Sequence, residues 1–140
     1  MTVLINDLKA RLNEGGFTCV LHVNGREYTS FERGVKPLLS FLDSEVSFSG
    51  ALAADKTVGA GAAYLYVLLG VRALWANVIS EAAVAVLAKN GIEVFYSECV
   101  PHIINRQGTD VCPIEKAVAS AENPIHAHTL ILQALQKLRG

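Results

Sequence analysis

The stretch "RALWANVISEAAVAVLAKNGIEVFYSE", Arg72 to Glu98, constrains the fold more than any other part of the chain. Its opening, "RALWANVI", is an apolar run with the composition of a buried strand. Ser80 follows in the position of a helix N-cap, where a hydroxyl oxygen accepts an orphan backbone N–H. "SEAAVAVLAKNG" then reads as a helix, ended by Asn90-Gly91. "IEVFYSE" alternates apolar and polar and reads as a second strand. A strand, a capped helix and another strand in direct succession commit this region to an α/β architecture.

The flanking sequence extends that frame. Leu4, Ile5, Leu8 and Leu12 recur at helical spacing, and Gly15-Gly16 ends the run. "FTCVLHV" and "REYTSF" flank Asn24-Gly25, a strong two-residue hairpin signal because both residues tolerate positive φ. "VKPLLSFL" is a short packing helix with Pro37 in its first turn. Arg33 precedes it and Lys36 lies within it, at positions suited to a pocket rim. "FSGALAAD" reads as either a short strand or a loop. From Lys56 to Leu69 the spacing predicts a helix, with Val58, Ala62, Leu65 and Leu69 on one face. "CVPHIINRQGTDVC" has no period, and so long an irregular connection in a compact domain points to function. Helices from Pro113 and from Asn123-Pro124 complete the chain. The whole predicts a single domain over residues 1–140, three-layer α/β/α around a mixed sheet.

Composition narrows the function. Of the 140 residues 51% are hydrophobic and 18% charged, which excludes a disordered chain. Net charge is −1 and Lys and Arg form no cluster, so no nucleic-acid partner is expected. The longest apolar stretch, Val58 to Val71, is too short to span a bilayer, so no membrane partner is expected either. The N-terminus lacks the pattern of a secretory signal. Cys19, Cys99 and Cys112 are odd in number and widely spaced, which fits a cytoplasmic protein with reduced thiols rather than a disulfide framework. So apolar a small domain also points to a subunit surface, and a homo-oligomer is expected.

Chemistry concentrates in "NRQGTDVCPIEKAV", residues 105–118. Pro113 suits the first helical position. Cys112 is then the N-cap and Glu115 the third helical residue, a capping box with a thiol in place of a hydroxyl. A thiol at a helix N-terminus is biased toward thiolate. Cys112 therefore reads as either a small structural cap or a catalytic nucleophile, with His102 on the same loop as the candidate base. Metal patterns are weak. His126 and His128 fall on different faces of a helix, and Cys19 and His22 face opposite sides of a strand. Cys99, His102 and Cys112 would make only a partial, non-standard site. No phosphate loop, nucleophile elbow or paired-carboxylate pattern stands out, and no metal or cofactor is expected.

The central segment resembles the cytidine-deaminase-like fold. There a helix bearing His-Ala-Glu follows a hairpin, and a strand then leads to Pro-Cys-x-x-Cys on the next helix. "AADKTVGAGAAYLYVLLGV" takes the place of the first unit, and the run from Arg72 takes that of the second. Where zinc deaminases carry His-Ala-Glu this chain has Asp55-Lys56 and neighbours. In place of Pro-Cys-x-x-Cys it has Ile79, Ser80, Glu81, Ala82 and Ala83. The His and Cys ligands that such a zinc site needs are missing, so zinc-dependent base deamination is not expected.

The stretches "ERGVKPLL", "AADKTVGAGAA", "VISEAA" and "NRQGTDVCPIE" are similar to a small prokaryotic family of unknown function that has the deaminase-like fold. That resemblance implies a pocket where the N-termini of the two central helices meet. Asp55, Lys56, Ser80 and Glu81 would gather there as an anion site. The long loop would add Asn105, Arg106 as a two-pronged clamp, and Cys112. The expectation is a metal-free deaminase-like protein that binds a small anionic or nucleotide-like ligand; whether it is an enzyme stays open. The alternative is a non-catalytic oligomeric interaction module, and a divergent deaminase or other hydrolase ranks below both.

Overall fold

The structure, a computed structural model, describes residues 4–105 and 107–139. Helix α1 (Ile5–Gly15) starts with the Leu4 N–H donating to Asp7 Oδ2 at 3.1 Å and closes on Gly16 at φ 67°. Strands β1 (Cys19–Val23) and β2 (Arg26–Ser30) form the expected hairpin, with Asn24 and Gly25 both at positive φ. Helix α2 (Lys36–Asp43), strand β3 (Leu52–Val58), helix α3 (Ala60–Leu69), strand β4 (Ala73–Ser80), helix α4 (Glu81–Lys89) and strand β5 (Glu93–Val100) follow. Helices α5 (Pro113–Ala117) and α6 (Pro124–Arg139) close the chain.

The five strands form one mixed sheet in the order β2-β1-β3-β4-β5. β1 is antiparallel to β2 and β3, and the β3–β4 and β4–β5 pairs are parallel. Parallel neighbours need crossovers, and α3 and α4 supply them. Side chains alternating along the strands divide between two cores. Val20, Leu52, Ala54, Ala73 and Trp75 pack with Leu8 and Leu12 of α1. Leu21, Ala53, Leu74 and Ala76 pack with α2, α3, α4 and α6 on the opposite face. This is the α/β architecture, helices on both faces of a mixed sheet, that the sequence predicts. Among the described residues no helix is long and apolar enough to cross a membrane.

One element differs from expectation. The helix predicted from Lys56 begins only at Ala60, and Leu52–Val58 is the central strand. Pairing on both sides decides it: β3 has β1 on one flank and β4 on the other, and the Lys56 N–H donates to Thr18 O at 3.0 Å. Asp55 and Lys56 therefore sit on a strand, not at a helix start. Gly59 makes the turn into α3. β5 runs on to Val100, and the connection after it is more ordered than its sequence suggests. Ile104 bridges Val111, and the Asn105 and Cys112 N–H groups donate to Asp110 O and Ile103 O at 2.8 Å each.

Candidate functional site

A cavity of about 560 Å3 lies beyond the end of β3, walled by the α1–β1 loop, the β2–α2 connection and the starts of α3 and α5. Its size fits a small-molecule site. Asp55 lies at its floor, 8% exposed. The Tyr66 hydroxyl, reaching back from α3, donates to Asp55 Oδ2 at 2.6 Å, and the Thr57 N–H donates to Oδ1 at 3.2 Å. Burial pushes the carboxyl up to about 7, against the opposing pull of Tyr66 and the backbone donors. Cys19, opposite Asp55 on β1, also lines the cavity. Its thiol is pushed far up by burial and then by the Asp55 carboxylate, which makes it a poor nucleophile. Tyr66 is raised by the same causes. The floor thus carries two weak acids, Asp55 and Cys19, with the Tyr66 hydroxyl buried behind Asp55, and Asp55 is the one shifted toward neutrality.

The mouth differs in character. Arg33 and Lys56 line it and are exposed. Phe31 stands beside them at 68% exposure, its ring 4.8 Å from that of Phe17. Gly61 and Ala62, in the first turn of α3, line the inner wall. Gly59, its N-cap, has no side chain to cap the helix.

The far wall is built by Glu115, 7% exposed. Its Oε2 accepts from the Ala60 N–H at 2.7 Å and from the Ser80 hydroxyl at 2.8 Å, and its Oε1 accepts from the Ile103 N–H at 2.9 Å. One carboxylate thus joins the starts of α3 and α4 to the loop after β5. This corrects the capping box read from sequence. Cys112 is the N-cap and Pro113 opens the helix, but no side-chain cap bond forms and Glu115 turns away into the core. A buried carboxylate gains more from three donors than from one exposed cap. Gly59 makes room for it, since a Cβ there would stand 2.7 Å from Oε2.

The expected site residues divide. Asp55, Lys56 and Cys112 line the same cavity, Cys112 half-buried. Ser80 is buried and belongs to the Glu115 junction; its hydroxyl also accepts the Ala83 N–H at 3.2 Å as the N-cap of α4. Val58 pairs with Ile79 and Asp55 with Ala76, so Ser80 lies four positions beyond the level of Asp55, about 13 Å along the sheet. The two do not form one cluster. Glu81 is exposed at the first position of α4, outside the cavity lining. Asn105 organises its own loop, its Oδ1 accepting from the Thr109 N–H at 3.0 Å and its Nδ2 donating to Thr109 Oγ1 at 3.2 Å. Arg106 lies outside the described residues. His102 is exposed and does not line the cavity. Among the described residues no three His, Cys, Asp or Glu side chains come close enough to hold a metal ion, so Cys99, His102 and Cys112 do not assemble.

Comparison with known proteins adds a family. The profile of a family described as "Domain of unknown function (DUF1893)" matches residues 7–135. The chain belongs to the DUF1893 family. A crystal structure of a DUF1893 family protein from Thermotoga maritima is 25% identical to it, with a TM-score of 0.82 over 96% of this chain and 89% of that one. No curated protein matches this DUF1893 chain.

Proposed function

We propose that this protein holds a small anionic ligand in the cavity, with Asp55 as the group that exchanges a proton with it. The observation that carries the reading is the floor carboxyl, buried and shifted to about 7, below a mouth that carries Arg33 and Lys56. A carboxyl that titrates near neutrality takes up or gives a proton at little cost, as a general acid or base must. The exposed cations draw an anion in, and of the first turn of α3 only the Gly61 and Ala62 N–H groups are left for it, since Glu115 takes that of Ala60. A nucleotide-like ligand meets the same demands, with its anionic end at the mouth. Cys112, in the same wall, is the thiol within reach of such a ligand.

The β3–α3–β4–α4–β5 order supports a deaminase-like reading of the fold. A zinc deaminase would need His or Cys ligands where α3 and α4 begin. Gly59, Ala60 and Gly61 stand at the first start and Ser80, Glu81 and Ala82 at the second, so the residues present do not fit a zinc ion. The Glu115 carboxylate fills the junction between them.

Native mass spectrometry of the gently purified protein, followed by titration with inorganic phosphate and nucleoside monophosphates, tests the proposal. We expect a retained anion, or binding to one probe that weakens at least tenfold in Arg33→Ala and Lys56→Ala. The pH dependence of affinity around 7 should be larger in the native chain than in Asp55→Asn, where only the probe's own phosphate ionisation remains. Binding that ignores all three substitutions would place the ligand elsewhere and end this reading.

A further inference from the structure

We infer that strand β5 is the self-association surface of this protein, pairing antiparallel with β5 of a second copy to make one continuous ten-stranded sheet. The inference is independent of the cavity. β5 is the last strand in the sheet order, and its outer edge has no strand partner among the described residues. Six of its eight residues are exposed, Phe95 by 43% and Tyr96 by 47%. The strand lies between the two helical layers, yet α1 reaches only as far as Trp75 on β4. Phe95, the neighbour of Trp75 in register, is left uncovered.

The two sheet edges are not alike. β2 has five residues and turns Arg26 and Glu27 to solvent, a short and charged edge of the kind that resists pairing. β5 has eight residues, of which only Glu93 and Glu98 are charged, with no Lys, Pro or Gly to block a partner. Pairing β5 with β2 of another copy would be heterologous and would propagate. Pairing β5 with itself closes on a two-fold axis.

Side-chain alternation restricts the register. A two-fold axis normal to the sheet keeps each face on its own side, so the axis passes through one residue rather than between two. A central Tyr96 would set Val94 against the partner's Glu98. A central Ser97 sets Val94 against the partner's Val100 and Phe95 against the partner's Cys99, two apolar pairs, with Tyr96 against the partner's Glu98. Eight residues extend about 26 Å, and side chains on both faces give a depth of about 20 Å. The contact then buries about 1,000 Å2 in total, the size at which specific interfaces begin.

The test combines mass with cross-linking on the full chain. Sedimentation should give a mass of two chains at micromolar concentration. In a Cys99→Ser background, Ser97→Cys should form a disulfide-linked dimer on mild oxidation, because directly opposed residues of an antiparallel pair have Cα atoms within disulfide reach. Glu93→Cys in the same background should not. Phe95→Lys with Tyr96→Lys should weaken the dimer at least tenfold. A wild-type monomer at high micromolar concentration would overturn the inference. So would a dimer in which Ser97→Cys fails to cross-link, or an open-ended series of masses, which would point to β5–β2 pairing. Because Ser97 is exposed, its variant tests the interface even where the lysine pair fails to fold.

Discussion

Two buried carboxylates line the same cavity and do opposite jobs. Glu115 is bound by donors from three separate parts of the chain: the α3 start, Ser80 at the α4 start, and Ile103 in the loop after β5. Asp55 is bound by a neighbour on its own strand and by one tyrosine. Their exposures, 7% and 8%, are nearly equal, so burial alone does not separate them. The origin of the donors does. A carboxylate that ties distant elements together is part of the architecture. A carboxylate held on one strand beside Cys19 and Tyr66, and lifted to about 7 by desolvation, is poised for proton exchange.

Removing the tie gives the largest expected effect. Glu115→Ala leaves the buried Ala60 N–H and Ser80 hydroxyl and the half-buried Ile103 N–H without their acceptor. At about 1–3 kcal/mol for each unsatisfied group, urea denaturation should show a loss of about 5 kcal/mol. Glu115→Gln, which keeps one oxygen but turns an amide toward a donor, should lose about half as much. Hydrogen exchange at Ile103 should quicken in both. If Glu115→Ala unfolds no more easily than the native chain, the carboxylate is not a tie and the comparison collapses.

Asp55 should affect stability with the opposite sign. Its carboxyl ionises near 3.8 when unfolded and near 7 when folded. Between those values the folded chain holds a proton that the unfolded chain has lost. The stabilisation is complete below pH 3.8 and disappears as pH rises through 7. The difference is about 4 kcal/mol at 1.36 kcal/mol per unit. Asp55→Asn mimics the protonated form, so it should flatten this decline and make the variant more stable than the native chain at pH 8. A variant less stable than the native chain at pH 8 would mean that the charged carboxylate is the form the fold selects.

How much of this was legible in the sequence follows from the range of each signal. The β4–α4–β5 run was readable because its apolar strands, its Ser80 cap and its Asn90-Gly91 stop are local. β3 was not. "ALAADKTV" has small side chains, no alternation, and a charged pair in its middle, and it becomes a strand through pairing on both flanks. Asp55 and Lys56 came forward as helix-start residues, yet they line the cavity from a strand. Tyr66 gave no sign that its hydroxyl would reach back eleven residues to Asp55. Glu115 gave a misleading one. Its place two residues after Pro113 suggests a local cap, whereas its donors lie 55, 35 and 12 residues away in sequence. A bond between such distant residues has no pattern that a window along the chain can detect. The edge of β5 was readable as alternation, but not as an edge, because strand order is a property of the assembled sheet.

Ser80 offers the finest separation of the two carboxylates, because it touches one and not the other. Its hydroxyl donates to Glu115 and accepts the Ala83 N–H as the cap of α4. Ser80→Ala removes both bonds at once, and the loss of a cap and of one donor to a charged group should cost about 2 kcal/mol. Glu115 keeps its two backbone donors, so the loop should stay docked and hydrogen exchange at Ile103 should change little. Asp55, four strand positions away and held by Tyr66 and Thr57, should keep its titration near 7. The native and Ser80→Ala stability curves should therefore be parallel from pH 4 to 8, displaced but with the same decline. Curves that converge or cross would mean that the two carboxylates share one network, and that the wall of this cavity is not independent of its floor.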